Sequence, residues 1–261
     1  MNLSLLHKTA LISGSTQGIG LAASTELAAL GASCVLFARN ESALQNVITQ
    51  LDTSKGQQHQ YLVADFTNPE QVKIAIENFI AQHTIHIVVN NTGGPMAGPV
   101  NTATPDAFLA AFNQHLICNQ IIVQAVLPGM KAAGYGRIIN VISTSVKIPL
   151  HNLGVSNTIR GAVASWAKTL SNELGQFNIT VNNVLPGATN TGRLKAIISS
   201  NATKQQLDEA AVATAMQSEI PMKRFGEPEE IAALIAFLAS PAAGYINGTS
   251  IPVDGGRTGS I

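Results

Sequence analysis

Short apolar runs and longer stretches with helical spacing alternate along the chain. The short runs are rich in β-branched and aliphatic residues, which is typical of strands. Six of the seven are apolar along most of their length rather than alternating, as strands covered on both faces must be. Pro252 in the last run fits only an edge strand or a strand end, because proline lacks the N–H that a central ladder needs. The predicted strands are residues 9–13, 33–38, 61–64, 85–90, 137–143, 179–185 and 250–253.

Helical patterns lie between these runs. In the last of them apolar residues recur at Ile159, Val163, Trp166 and Leu170, which gives one face for a core or a partner. The predicted helices are residues 18–30, 41–51, 69–82, 105–133 and 156–175. Strands that alternate with helices predict right-handed βαβ units. We therefore predict one α/β domain over residues 1–261: a doubly wound, Rossmann-type, seven-stranded and mostly parallel sheet with helices on both faces.

Composition narrows the class of protein. The 261 residues suit one domain with a continuous core. Charged residues make up only 11% of the chain against 46% hydrophobic residues, so apolar surface is left over for oligomer contacts. The formal net charge is zero and no run of five basic residues occurs, which argues against partners such as nucleic acid or an anionic membrane.

Cysteine usage and the start of the chain add two expectations. Cys34 and Cys118 fall in a strand-like and a helix-like run, and we predict buried thiols rather than a disulfide or a metal site. No Cys and His spacing typical of metal ligands occurs, and no apolar run approaches transmembrane length. The chain leads into its first strand without the cleavage site of a signal peptide, so we expect a cytoplasmic protein.

A glycine-rich turn follows the first predicted strand and opens the first predicted helix. Gly14 permits the tight turn, Gly18 lets the backbone approach a pyrophosphate closely, and Gly20 allows close helix packing. The start of the helix offers free N–H groups and the positive end of its dipole to phosphate. Such a turn can also be only a turn, but its position between strand and helix favours dinucleotide binding. The candidate cofactor-binding residues here are Gly14, Ser15, Gln17, Gly18, Ile19 and Gly20.

The end of the second predicted strand bears on which dinucleotide is bound. An NAD site usually has an acid here that accepts from the ribose hydroxyls, and Ala38 cannot do so. Arg39 can pair with a 2′-phosphate, although it could also be a solvated loop charge. We therefore expect the cofactor to be NADP (NADPH), preferred over NAD.

Ser143, Ser156 and Arg160, at and beyond the end of the fifth predicted strand, indicate the family. Ser143 stands at the strand end, Ser156 follows thirteen residues later, and Arg160 lies four residues further on the same helix face. With the glycine turn, this region resembles the short-chain dehydrogenase/reductases, and within them the 3-oxoacyl-acyl carrier protein reductase-like branch, over nearly the whole chain. That family has Ser, Tyr and Lys at these three places, so the resemblance implies a site whose usual Tyr and Lys are replaced.

The resemblance implies further site residues. Asp65 and its neighbour correspond to an adenine-contacting position, residues 91–93 stand where the family has Asn-Ala-Gly, and residues 186–191 resemble its nicotinamide-side loop. Asp65 could equally be a turn cap, and the second motif also supports the sheet in the family. The candidate cofactor-binding residues of this group are Asp65, Phe66, Asn91, Thr92, Gly93, Pro186, Gly187, Thr189 and Thr191.

His115 falls where the family places an Asn that holds a water leading to the Lys. It is predicted either as a structural helix histidine or as a water-binding or proton-relay residue. His151, in the loop before the last predicted helix, is either exposed or a proton donor, and Thr144 and Ser145 are further candidate hydroxyl donors.

The replaced residues change the expected chemistry. In the family the Tyr phenol, with a pKa of about 10 that its surroundings lower, gives a proton to the substrate carbonyl while NADPH supplies hydride. The Ser156 hydroxyl is a far weaker acid than the Tyr phenol, and its oxygen lies closer to the helix than a phenol oxygen would. Arg160 has no acceptor with which to relay a proton. Arg160 could still bind ribose hydroxyls or steady an oxyanion. Loss of one positioned acid lowers a rate by about 10²–10⁴-fold, so catalysis requires Ser143 with a water or a histidine as donor.

Two functional classes follow. One is an NADP-dependent oxidoreductase that acts on a small-molecule carbonyl or alcohol, with Ser143, Ser156, Arg160 and His115 as candidate catalytic residues. The other is a catalytically impaired NADP-binding sensor or scaffold protein on the same fold. Residues 188–220, helical near 203–217, are placed to be a substrate lid.

Two further expectations concern the pocket and assembly. Met96, Leu150 and Leu194 indicate an apolar substrate pocket. The helices that begin near residues 105 and 156 have more apolar faces than one sheet can cover, and the family pairs them across an interface. We expect a homotetramer, with residues 245–261 making the second contact.

Overall fold

Seven strands form one sheet in which every neighbouring pair is parallel, in the order β3-β2-β1-β4-β5-β6-β7. The structure is a computed structural model and describes residues 1–259. β7 is an edge strand, as Pro252 predicted. The predicted fold class is confirmed. The strands are β1 Thr9–Ser13, β2 Ser33–Ala38, β3 Gln60–Val63, β4 Ile87–Asn90, β5 Gly136–Val141, β6 Ile179–Pro186 and β7 Ser250–Val253.

Helices cover both faces of the sheet and divide the core in two. One cluster packs α1 and α9 against side chains such as Ile12 and Leu36. The other packs α3, α5 and α6 against side chains such as Leu11 and Ile138 on the opposite face. The helices are α1 Gly18–Ala29, α2 Glu41–Ile48, α3 Pro69–Ile80, α4 Pro105–Phe112, α5 Cys118–Ala133, α6 Gly154–Leu174, α7 Gly192–Gln205, α8 Glu209–Ser218 and α9 Pro228–Ala239.

The predicted helix 105–133 contains a π turn. Asn113–Ile117 has the wider π-helical winding between α4 and α5, and it carries His115. π turns occur frequently at functional sites. By length and composition alone, residues 105–133 are long and apolar enough to cross a membrane. This differs from the expectation that no apolar stretch approaches transmembrane length. Here α5 packs against α3 and the sheet.

Two helix predictions were wrong or missing. The expected helix 203–217 is two helices, because Gln206 adopts a left-handed conformation that ends α7 and Asp208 caps the start of α8. α9 was not predicted, although Pro228 and the capping box of Glu227 and Glu230 mark its start. Its sequence is apolar almost throughout because it packs against α1 on one side and against β5 and β6 on another, so it lacks the one-sided periodicity of a surface helix.

A row of buried amide side chains crosses the sheet just below the strand ends. Asn90 donates to Asn140 Oδ1 over 2.8 Å, Asn140 donates to Asn183 Oδ1 over 3.0 Å, and Asn183 donates to Ser250 Oγ over 3.0 Å. Each pair is in register on adjacent strands. Asn90, Asn140 and Asn183 are each at most 3% exposed. This amide ladder therefore joins β4, β5, β6 and β7 through side chains as well as through their backbones.

The ladder should be essential to stability. We expect Asn140→Leu to lower the free energy of unfolding by about 2–4 kcal/mol, because it leaves the Asn90 amide and the Asn183 carbonyl buried without partners. Urea unfolding at fixed protein concentration measures the loss. Asn46→Leu on the exposed face of α2 is the matched control. Equal stability of the two variants would contradict the ladder's role.

Candidate functional site

One large cleft opens at the carboxyl ends of the strands, where ligands bind in open parallel sheets. Its volume is about 1070 Å³, at the upper end of the usual range of about 300–1,000 Å³ for small-molecule sites. Most predicted site residues meet here although they come from distant segments. The cleft is lined by Gly14, Gln17, Gly18, Ile19, Arg39, Asp65, Phe66, Asn91, Thr92, Gly93, Ser143, Ser156, Arg160, Pro186, Gly187, Thr189 and Thr191.

The glycine turn has the geometry that a diphosphate requires. Gly14 and Gly18 have φ of 61° and 53°, which residues with a Cβ rarely adopt. A Cβ on Gly20 would collide with the Gly14 carbonyl, so Gly20 permits the close packing of turn and helix. A Cβ on Gly18 would lie 3.1 Å from Thr191 Cγ2, so the bare backbone here keeps the gap between turn and nicotinamide-side loop open. These residues fit a dinucleotide.

Two predicted residues of this turn do not line the cleft. Gly20 packs beneath the turn. Ser15 is buried, and its Oγ accepts from the Phe37 N–H over 3.1 Å, which ties the turn to β2. The sequence motif therefore includes residues that shape the turn as well as residues that could touch a cofactor.

Arg39 and Asp65 line the end of the cleft beside β2 and β3. Arg39 is exposed at the end of β2 and forms no salt bridge within residues 1–259. Asp65 accepts from the Thr67 N–H over 2.9 Å. That bond, with the positive charge of Arg39 nearby, holds the pKa of the carboxyl below its usual value. Arg39 is therefore free to pair with an added phosphate.

Ser143 and Ser156 face the cleft from two different elements. Ser143 caps a 3₁₀ turn after β5, and its Oγ accepts from the Ser145 N–H over 3.1 Å. Its hydroxyl proton therefore remains available to a substrate oxygen. Ser156 lies in the first turn of α6 on the cleft wall. Thr144 also lines the cleft, whereas Ser145 Oγ is buried.

Arg160 lies one turn beyond Ser156 and connects strand ends. Its Nη1 donates to the Val141 carbonyl over 3.2 Å and its Nη2 donates to the Thr92 carbonyl over 3.3 Å. The residue is only 8% exposed. Burial, and then the charge of Arg193, lower the pKa of Arg160 to about 10, so it is still a cation at neutral pH.

His115 lies behind the cleft wall rather than in it. Its side chain is 1% exposed, and its Nδ1 is 2.5 Å from Thr92 Oγ1. Nε2 has no hydrogen-bond partner within residues 1–259. Burial, and then the charges of Arg160 and Arg193, lower the pKa of His115 to about 2. The expectation that His115 could donate a proton by titrating near neutrality is wrong, because the imidazole is neutral there.

Sequence reasoning missed the polar residues that close the mouth of the cleft. Arg193, at the start of α7, donates through Nη2 to the Pro95 carbonyl over 2.6 Å. Gln114 donates to the Gly93 carbonyl over 3.3 Å. Arg257 pairs with Glu219 at 2.5 Å on the rim. The only available signal was a lone arginine just after the predicted nicotinamide-side loop.

The apolar part of the cleft differs from the expectation at one residue. Leu150 and Leu194 line it, but Met96 is 90% exposed and is not among the lining residues. His151 lines the cleft and is exposed. α7 and α8 form one wall of the cleft and share a small core around Leu194. Their role as a substrate lid stays a prediction.

Comparison with known proteins shows the family to which the chain is similar over nearly its whole length. The family described as Enoyl-(Acyl carrier protein) reductase matches residues 14–258. The 3-oxoacyl-[acyl-carrier-protein] reductase FabG of Pseudomonas aeruginosa is 34% identical over 97% of this chain and 98% of its own. L-sorbose reductase from Gluconobacter frateurii, solved with NADPH and L-sorbose, has a TM-score of 0.93 at 29% identity and full coverage of both chains. A gluconate 5-dehydrogenase from Burkholderia cenocepacia, solved with NADP and tartrate, has a TM-score of 0.88 at 30% identity, covering 100% and 98%.

The buried neutral histidine predicts sensitivity to acid. Because the folded pKa of His115 is about 2 against an ordinary value of 6.5, the unfolded chain binds the proton first as pH falls. The stability contribution of His115 is complete above about pH 6.5 and falls by about 1.4 kcal/mol per pH unit below it. We expect His115→Asn to flatten the decline in unfolding free energy between about pH 6.5 and pH 4.5.

Urea unfolding across this pH range measures the slope. His7→Asn is the control, since His7 is exposed and its left-handed conformation suits asparagine. Parallel pH profiles for wild type and His115→Asn would show that His115 is protonated in the folded protein.

Proposed function

The chain belongs to the short-chain dehydrogenase/reductase family, and on that premise we propose that it is an NADP(H)-dependent oxidoreductase that interconverts a carbonyl and an alcohol on a small molecule. The observation that carries the proposal is that the glycine turn, Ser143 and Ser156 open into one cleft. The relatives named above include reductases and dehydrogenases whose names specify NADPH or NADP. The substrates in their names range from a 3-oxoacyl-[acyl-carrier-protein] to L-sorbose, so they leave the substrate of this chain open.

The cleft residues divide between the two ends of the cofactor. The turn from Gly14 to Gly20 would hold the diphosphate, Asp65 the adenine, and the loop from Pro186 to Thr191 the nicotinamide end. Arg39 would pair with the 2′-phosphate, which is the basis for NADP over NAD. When bound, the nicotinamide supplies or accepts the hydride.

The chain's own residues would position the substrate and stabilise charge. The Ser143 hydroxyl would donate to the substrate oxygen, since its own lone pair already accepts from Ser145. Ser156 would hold a water that gives the proton, because an aliphatic hydroxyl is too weak an acid to give it directly. Arg160 would favour negative charge on the substrate oxygen through its fixed positive charge. Neutral His115 would orient Thr92 rather than deliver a proton.

The homotetramer and the cytoplasmic location stay predictions. Leu109 and Phe112 on α4 are 61% and 37% exposed, which supports pairing of α4 with another copy. The fully exposed Tyr245 supports a second contact through the C-terminal segment, whose last two residues lie outside the described part.

Arg39 should determine the choice of cofactor. We expect NADPH to bind at least about tenfold more tightly than NADH, about 1.4 kcal/mol, because Arg39 meets the 2′-phosphate and no acid is present to select the ribose hydroxyl. Fluorescence titration with both cofactors measures this, and Arg39→Ala should abolish the difference. Equal affinities in wild type would refute the assignment.

Restoring the usual residues at the two replaced positions should restore the missing acid. We expect Ser156→Tyr combined with Arg160→Lys to raise kcat/KM for NADPH-dependent ketone reduction at least about tenfold. The phenol regains reach and acidity, and the ammonium beside it lowers its pKa. Neither change alone should suffice, because the two groups act as one unit.

A control separates this effect from a general effect of an added aromatic ring. Thr158→Tyr places a tyrosine on the exposed face of the same helix and should leave the rate unchanged. If the double variant binds NADPH normally but is no faster, the replaced residues are not the limiting defect. If wild type binds NADPH and reduces no ketone in a broad panel, the sensor or scaffold alternative is favoured.

A further inference from the structure

The substrate end of the cleft carries more positive than negative charge. Arg160 lies in its wall and Arg193 at its mouth, while His115 behind them is neutral. Two carboxylates line the cleft within residues 1–259, and neither balances these arginines. Asp65 is at the adenosine end beside Arg39, and Glu219 is already paired with Arg257 at 2.5 Å.

Both guanidinium groups keep donors free. Arg160 uses two of its N–H groups on the carbonyls of Val141 and Thr92, and Arg193 uses one on the carbonyl of Pro95. A guanidinium has five N–H donors, so each retains some for a ligand. All three acceptors are neutral main-chain oxygens, which satisfy hydrogen bonds but leave the charges uncompensated.

The two cations are close enough to influence the same group. Arg160 donates to the Thr92 carbonyl and Arg193 to the Pro95 carbonyl, three residues apart in the loop after β4. The charge of Arg193 accordingly lowers the pKa of both Arg160 and His115. Removing Arg160 from water without a counter-charge is unfavourable, and an anion bound beside it would offset that. Arg193 also lies in the first turn of α7, where the helix dipole favours a negative group.

We propose that Arg193, with Arg160 behind it, binds a carboxylate of the substrate, so that the protein acts on oxo acids or hydroxy acids. This inference rests on the proposed function and names its substrate class. The planar guanidinium fork matches a carboxylate in two parallel hydrogen bonds. Leu150, Leu194 and Ile197 line the same cleft and would contact a short apolar body.

Matched pairs of substrates test the proposal. The NADPH-dependent reduction of 2-oxopentanoate and 4-oxopentanoate is compared with that of their methyl esters, which differ only in charge and bulk at the carboxyl. We expect kcat/KM to favour at least one acid over its ester by about tenfold or more in wild type. Arg193→Gln should remove that preference, mainly by raising KM for the acid, and should leave the ester within about twofold.

Lys195→Gln is the control variant, since Lys195 is an exposed cation on the same helix outside the cleft. It should keep the preference for the acid. Equal rates for acids and esters in wild type would overturn the proposal. So would an Arg193→Gln variant that weakens NADPH binding without changing the preference for the acid, because Arg193 would then serve the cofactor phosphates.

A binding measurement separates this inference from the proposed function. Calorimetry of 4-oxopentanoate and its methyl ester against the protein saturated with NADP⁺ requires no turnover. Acid binding that Arg193→Gln abolishes would uphold the carboxylate site even if no ketone is reduced. Turnover with no preference for the acid in either assay would uphold the oxidoreductase and overturn the carboxylate site. The carboxylate site would also be overturned if neither acid is reduced and 4-oxopentanoate does not bind in the calorimeter.

Discussion

The position of the site depends on the amide ladder that fixes the ends of four strands at one level. Each asparagine in the ladder is followed within three residues by a cleft residue: Asn90 by Thr92, Asn140 by Ser143, and Asn183 by Pro186. Slippage of β5 or β6 by one residue would turn its asparagine to the opposite face and break two buried hydrogen bonds. The ladder therefore fixes the positions along the strands from which Thr92, Ser143 and the nicotinamide-side loop enter the cleft.

Arg160, Thr92 and His115 stand at three positions where the sequence resemblance implies other residues, and hydrogen bonds link Arg160 to Thr92 and Thr92 to His115. Arg160, in place of Lys, donates to the main chain of Thr92, and Thr92, in place of Ala, meets His115 through its hydroxyl. His115 stands where the family has Asn. The larger guanidinium spans two carbonyls that a single ammonium could not reach equally, and its charge helps to keep the imidazole neutral. A change at one of these positions alters the environment of the other two.

The sequence predicted the architecture well because periodicity and glycine position are local signals. All seven strands were placed within about two residues, and the glycine turn had the geometry its spacing indicated. Periodicity could not show the π turn around His115, since the winding of one turn leaves the apolar pattern almost unchanged. It could not show α9 either, because a helix buried on several faces has no polar side. The neutral state of His115 and the contact of Arg193 with Pro95 depend on segments far apart in the chain.

The Arg193 to Pro95 hydrogen bond also affects the order of events in the cleft. It joins the start of α7 to the loop after β4, two segments that line the cleft, and a dinucleotide would exchange more slowly if its path requires these segments to separate. One such bond contributes only about 1 kcal/mol, which slows exchange without preventing it. In many oxidoreductases product release limits turnover, and slower exchange would reduce throughput. In the proposed mechanism proton delivery limits turnover, and longer residence of the dinucleotide would then leave the overall rate unchanged. Under that mechanism, a hydrogen bond that delays exchange of the dinucleotide would not lower the overall rate.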